Sequence, residues 1–240
     1  MLIMTTIFIL LSIMYPILDY FWMKRINNDK ERLNKKKMYV QIIFIQWVTV
    51  GIIALYWRMT HRDFQDLGFI NNLADIKDFL LGFLVSLLFA LIINFIIIMN
   101  VKSIKKKLYQ QLEIIEFMLP EDFKERMLFV LVALTAGFCE EVMFRGFMFY
   151  YLKELPFHIP LFVIAMITSI IFGTAHLYQG WKNVIGTGLM GFSLACLYIY
   201  FGTIWVPMII HIIIDLRVAI LPSKIKVKEA KQMDNENFGV

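Results

Sequence analysis

Apolar residues in this chain run in long blocks separated by short basic or polar stretches. Seven blocks fall at roughly 2–23, 38–57, 79–100, 127–151, 161–177, 184–202 and 204–221. Each approaches the ~20 apolar residues that an α-helix needs to cross the hydrocarbon core of a bilayer. The pattern predicts an all-α protein, a polytopic transmembrane helical bundle of about seven spans. The last three blocks are short or closely spaced, so six or eight spans fit as well. Residues 1–126 then make an amino-terminal membrane part, 127–221 a second helical bundle and 222–240 a cytoplasmic tail. Within the first part, Leu112, Ile115 and Leu119 recur at helical spacing before Pro120, which predicts an amphipathic segment along the cytoplasmic face.

Composition points the same way. The 240 residues are 60% hydrophobic and 18% charged, whereas a soluble domain lies near half apolar and about a quarter charged. Cys139 and Cys196 both lie inside apolar blocks, so no disulfide framework is implied. The first block has neither a basic stretch ahead of it nor a small-residue cleavage site behind it, which predicts an uncleaved signal anchor.

The net charge of +5 would suit a nucleic-acid partner if it were concentrated on one face. Its distribution argues for topology instead. Of the 24 Lys and Arg, seven lie in loop 24–37, six in 101–126 and four in the tail, while Lys182 sits in the turn at 178–183. Cytoplasmic loops carry the excess of basic residues, so these segments are expected inside, with the amino terminus outside and the carboxyl terminus cytoplasmic. Contact with anionic lipid headgroups is the partner they imply.

Charge inside the blocks changes the picture further. Asp19, Glu140, Glu141, Arg145, His176, His211, Asp215 and Arg217 all fall within apolar stretches, all but the first in the carboxyl-terminal half. Ionisable groups at such depth face a bundle interior or a cavity and mark function. Glu141 and Arg145 stand at i and i+4 on one helical face and are able to pair. Glu140 points about 100° away. One glutamate is therefore a structural partner of the arginine and the other is left for chemistry. Phe172 and His176 are again at i and i+4, as are His211 and Asp215. A packing role accounts for any one of these pairs; three helices each presenting such a group point to one site. The stretch GTGLMG (Gly186, Gly188, Gly191) matches a dinucleotide-binding pattern, but it lies in an apolar block with no preceding strand, so close helix packing explains it.

The three motifs, Glu140-Glu141-x-x-x-Arg145, Phe172-x-x-x-His176 and His211-x-x-x-Asp215, in this order, resemble the CPBP family of intramembrane proteases. That family includes CAAX prenyl endopeptidases and bacterial Abi-type proteins. The resemblance covers about residues 127–220, and no motif in the first three blocks matches it. It implies an endopeptidase that activates water within the membrane, with Glu140 as base, His176 as its partner in holding the water and His211 as an oxyanion donor. Glu141, Arg145 and Phe172 are supporting residues. Asp215 stands where the eukaryotic and archaeal enzymes typically carry Asn. An ionised aspartate would repel an oxyanion, so Asp215 must be protonated, orient His211 or bind a cation.

A metal is the competing account. Glu140, His176, His211 and Asp215 also supply the two-histidine-plus-carboxylate set that zinc or another divalent ion uses. With no HExxH, the metal-free mechanism is preferred and no cofactor is expected. The expected partner is a membrane-associated peptide or protein substrate. High Ile, Lys and Asn usage points to an AT-rich, bacterial genome and the cell membrane, and bacteriocin maturation or immunity is a role the resemblance suggests. Two other classes fit some of the same residues: a non-enzymatic binding or immunity protein using the same cavity, and a proton-coupled transporter. Against transport, no inverted repeat is visible.

Overall fold

The computed structural model describes residues 1–29, 33–70 and 115–220. Six long helices make up the described chain: α1 (Leu2–Asn28), α2 (Lys35–Met59), α3 (Phe123–Lys153), α4 (Leu161–Ala175), α5 (Trp181–Phe201) and α6 (Trp205–Ile220). They coincide, within a few residues, with six of the seven apolar blocks. The block at 79–100, most of the amphipathic stretch before Ile115 and the tail at 222–240 lie outside the described residues. By length and composition α1, α2, α3 and α5 suit a membrane crossing. The 15 residues of α4 span only about 22 Å at 1.5 Å per residue, less than a ~30 Å hydrocarbon core.

Two helices contain a π-helical turn. In α1 it covers Leu10–Met14, immediately before Pro16. A proline has no N–H to return to the preceding turn, so a local change of helical hydrogen bonding there is the expected response. In α3 the π turn covers Val142–Met148 and begins at the residue after Glu141. All seven of its residues are buried, as expected of a helix packed on every side.

That burial makes α3 the central element. In its most apolar 18-residue window, 67% of residues are buried, against 17% in α1, 28% in α2 and 17% in α5. Its start is capped by Asp122, whose carboxylate accepts from the Glu125 N–H at 2.7 Å and pairs with Lys36 at 3.0 Å. The Glu125 amide, then Lys36, holds the Asp122 carboxyl below its ordinary value. This cap therefore contributes at neutral pH and is lost as pH falls through the lowered value. Lys35 adds a second tie, to the Leu119 carbonyl at 2.6 Å and to Glu121 at 2.8 Å. Residues 115–122 are thus fastened to the start of α2. At Ile115 and Leu119, where helical spacing predicts a longer helix, only the 3₁₀ turn Glu116–Met118 forms before the chain extends into Pro120. Proline disfavours the helical region for the residue ahead of it.

One hydrophobic core draws on both halves of the sequence: Met4, Ile7 and Leu11 of α1 and Val50, Ile53 and Trp57 of α2 join Cys139 to Leu152 of α3, Phe172 of α4, Ala195 of α5 and Met208 of α6. Missing side chains set the closest approaches. A Cβ on Gly137 would lie 2.4 Å from Ile212 Cγ1 and 2.9 Å from the Ile212 nitrogen, so α3 and α6 touch at backbone level there. A Cβ on Gly173 would lie 2.7 Å from the Val184 carbonyl oxygen, at the α4–α5 crossing. Close approach through small residues is the usual means of helix association in lipid. Within GTGLMG, Gly188 and Gly191 face α4 in this way, while Gly186 has nothing within 4 Å of its missing Cβ.

These spaces give a paired test. Gly173→Ala must push α4 from α5 and is expected to destabilise the protein by about 1–3 kcal/mol, the usual cost of overpacking. Gly186→Ala should leave stability unchanged or slightly raised. Thermal unfolding of both variants in detergent checks the contrast, and equal midpoints would contradict the packing described.

Candidate active site

The intramembrane charges named from the sequence fall into two layers. The deeper layer is built on Glu141, fully buried, and Arg145, 1% exposed. Arg145 Nη1 donates to Glu141 Oε1 at 2.8 Å, the i,i+4 pair expected on one helical face. The same carboxylate oxygen also accepts from His211 Nδ1 of α6 at 2.8 Å. Arg145 Nη2 donates to the Gly191 carbonyl of α5 at 2.8 Å, and the guanidinium lies 4.8 Å from the centre of the Phe172 ring of α4. The missing Cβ of Gly191 leaves this passage open, since one placed there would come within 2.9 Å of Phe172 and 3.5 Å of Arg145 Nη2. The Glu141–Arg145 pair thus ties four helices together. Its bond to His211 is not legible in the sequence, because a spacing argument covers one helix at a time.

The shallower layer surrounds a cavity of about 170 Å³. Glu140, His176 and Asp215 line it. Glu140 is 8% exposed; its Oε1 accepts from Gln46 Nε2 of α2 at 2.9 Å, while Oε2 is buried without a hydrogen-bond partner. His176, just past the end of α4, puts Nδ1 2.9 Å from the Phe172 carbonyl oxygen. A carbonyl only accepts, so Nδ1 carries the hydrogen, and in the neutral ring Nε2 is left with its lone pair. Phe172 thereby orients His176 with its backbone and supports Arg145 with its ring. His211 is not among the residues lining the cavity and stands behind it. Its Nε2 lies 3.6 Å from Asp215 Oδ2 and 3.9 Å from Glu140 Oε2, both beyond ordinary hydrogen-bond length.

Four polar wall residues lie outside the three motifs. Tyr15 and Asp19 of α1, Gln46 of α2 and Tyr178, in the turn after His176, all line the cavity with Glu140. The signals for two of them are present in the sequence, as a carboxylate and an amide inside apolar blocks. Nothing local to those blocks says which distant helix they face.

Residues 123–217 match the family described as type II CAAX prenyl endopeptidase Rce1-like. All seven motif residues, from Glu140 to Asp215, lie within that match. This segment is similar to the CAAX protease family. The match and the four helices long and apolar enough to cross a bilayer suggest a membrane protein and support, in general, a CAAX-type intramembrane protease. No curated protein and no solved structure is significantly similar to the chain. Among the described residues, no three His, Cys, Asp or Glu side chains are grouped to hold a metal ion. Glu140, His176 and Asp215 share one cavity, and His211 Nε2 stands 3.9 and 3.6 Å from two of their carboxylate oxygens.

The two glutamates are expected to fail differently. Glu141→Gln leaves Arg145 buried without its anion and should cost about 3–5 kcal/mol, as for other broken buried pairs. Glu140→Gln keeps an acceptor for Gln46 and should leave stability nearly unchanged. Thermal unfolding and membrane expression level compare them, and a Glu141→Gln protein as stable as the wild type would contradict the role given to the pair.

Proposed function

We propose that the protein is an intramembrane endopeptidase that hydrolyses a peptide bond of a membrane-associated protein or peptide. One observation carries this reading: Glu140 Oε2 is buried, unpartnered and placed on the wall of the cavity it shares with His176. A lone carboxylate oxygen away from bulk water is an acceptor waiting for a donor. A water between Oε2 and His176 Nε2 would supply it.

The steps follow from these groups. Glu140 takes a proton from the water as its oxygen attacks the peptide carbonyl, giving a tetrahedral oxyanion. The proton then passes from Glu140 to the departing nitrogen as the C–N bond breaks, leaving a carboxylic acid and an amine. Gln46 fixes Oε1, so the second oxygen of Glu140 does the transfer. His211 supports the oxyanion role best through Nε2, because Nδ1 is committed to Glu141. With Nδ1 donating to Glu141, Nε2 carries a hydrogen only in the protonated ring, and that hydrogen would point to the side where Glu140 and Asp215 stand. Oriented donors of this kind stabilise charge as it develops. Asp215, at 3.6 Å, suits the part of orienting His211. No step is assigned to a metal, since the side chains present are not grouped as its ligands.

The cavity wall includes the carboxyl-terminal part of α1, the first part of α2 and the ends of α4 and α6. Loop 24–37 joins the first two of these and holds seven basic residues. The positive-inside rule therefore puts this end of the bundle at the cytoplasmic face, where a substrate would enter. A single cysteine at Asn28 should react with membrane-impermeant maleimide only in inverted vesicles.

The activity itself is tested with purified protein and a quenched-fluorescent peptide library. Glu140→Gln should lower hydrolysis by about 10²- to 10⁴-fold, the usual share of a general base. Asp215→Asn should retain activity, since an amide can still orient His211. Chelator should have no effect. Hydrolysis undiminished in Glu140→Gln, or lost on chelation together with a stoichiometric metal, would overturn the mechanism.

A further inference from the structure

Among the described residues, the cavity walls hold three carboxylates and no ammonium or guanidinium group. Asp19, Glu140 and Asp215 line it, and no Lys or Arg does. Arg145 lies deeper, committed to Glu141 and Gly191. Lys24, five residues after Asp19, lines an adjoining groove instead. Among the described residues Asp19 forms no ion pair. Glu140 and Asp215 have His211 between them, 3.9 and 3.6 Å from its Nε2, whereas Asp19 forms no ion pair with a histidine among the described residues. Gln46 repeats the deficit: its Nε2 is given to Glu140, and its Oε1 is buried and unpartnered, although the residue is only 3% exposed. Acceptors with no cationic partner therefore face this space from α1, α2 and α3, beside the neutral hydroxyls of Tyr15 and Tyr178. The remaining wall near Asp19 is aromatic, from Tyr15, Trp22 and Tyr178. Aromatic faces beside a carboxylate are the surroundings in which an organic cation is held, by ion pairing and by attraction to the rings.

We propose that this cavity accepts a Lys or Arg side chain of the substrate peptide, next to the bond to be cut, and that Asp19 is the specificity-determining residue. The cation supplies the positive charge that the described cavity wall lacks and pairs with Asp19, while Glu140 stays free to act on water. The cleaved bond rests on the hydrolase reading above; the recognition of the cation does not. The carboxylate that selects comes from α1, outside the matched segment, whereas the groups that react come from within it.

The test uses full-length protein in detergent and peptides that differ at one position near the scissile bond, with Lys, Arg, norleucine or Glu. Binding is read by fluorescence anisotropy on the Glu140→Gln protein, and cleavage on the active one. Peptides with Lys or Arg should bind and react roughly tenfold or more better than norleucine, because a pair shielded from bulk water interacts well above the exposed level. Asp19→Asn should abolish that preference while norleucine peptides are still cut, Asp19→Glu should keep it, and Asp19→Arg should shift it toward Glu. Equal binding of Lys and norleucine peptides overturns the proposal, as does a preference that survives intact in Asp19→Asn. Cleavage without any preference defeats this inference and leaves the hydrolase reading standing. Preferential binding abolished by Asp19→Asn, with no cleavage of any peptide, supports the cation site and defeats the hydrolase reading.

Discussion

The bundle depends on one carboxylate oxygen. Glu141 Oε1 accepts from Arg145 and from His211, each at 2.8 Å, with no exposure to solvent. Desolvating these charges costs several kcal/mol per ion, recovered only when geometry and extra hydrogen bonds are good. The extra bonds are here: Arg145 reaches Gly191 on α5 and lies over Phe172 on α4. Helices that share only apolar faces in lipid have little to fix their register, since lipid tails compete equally for those faces. A buried ionic node on four helices removes that freedom. The same node holds a hydrogen on His211 Nδ1 and lies against the ring of Phe172, whose carbonyl sets the tautomer of His176.

The close contacts around the node follow from small residues. Gly191 clears the path of Arg145, Gly173 lets α4 reach α5, and Gly137 lets α3 reach α6. The π turn that starts after Glu141 belongs to the same arrangement. Such turns collect at functional sites in helices. This one follows directly on the two glutamates, one of which serves the node while its neighbour reaches the cavity.

Much of this is legible along the chain, and for a physical reason. Crossing a bilayer demands long apolar runs, so the described helices appear as blocks in the sequence. Charges within them are costly enough to be conspicuous, so Glu140, Glu141, Arg145, His176, His211 and Asp215 all stand out against their apolar neighbours. The i,i+4 partners Glu141 and Arg145 are legible too, because that spacing acts within one helix. What stays hidden lies between helices. His211 on Glu141, Gln46 on Glu140 and Arg145 on Gly191 join residues 46 to 94 positions apart.

The division of labour between matched and unmatched helices follows from these contacts. The Rce1-like match begins at residue 123, yet α1 and α2 supply Tyr15, Asp19, Trp22 and Gln46 to the cavity. Without them Glu140 would lack the amide that fixes Oε1, and its other oxygen would face lipid or water rather than an enclosed space. Reactive groups held by one buried node tolerate little change, because every member has several partners. Wall residues such as Asp19 have fewer partners among the described residues. On the proposed hydrolase reading, they are the positions where substrate preference can vary while the node stays the same.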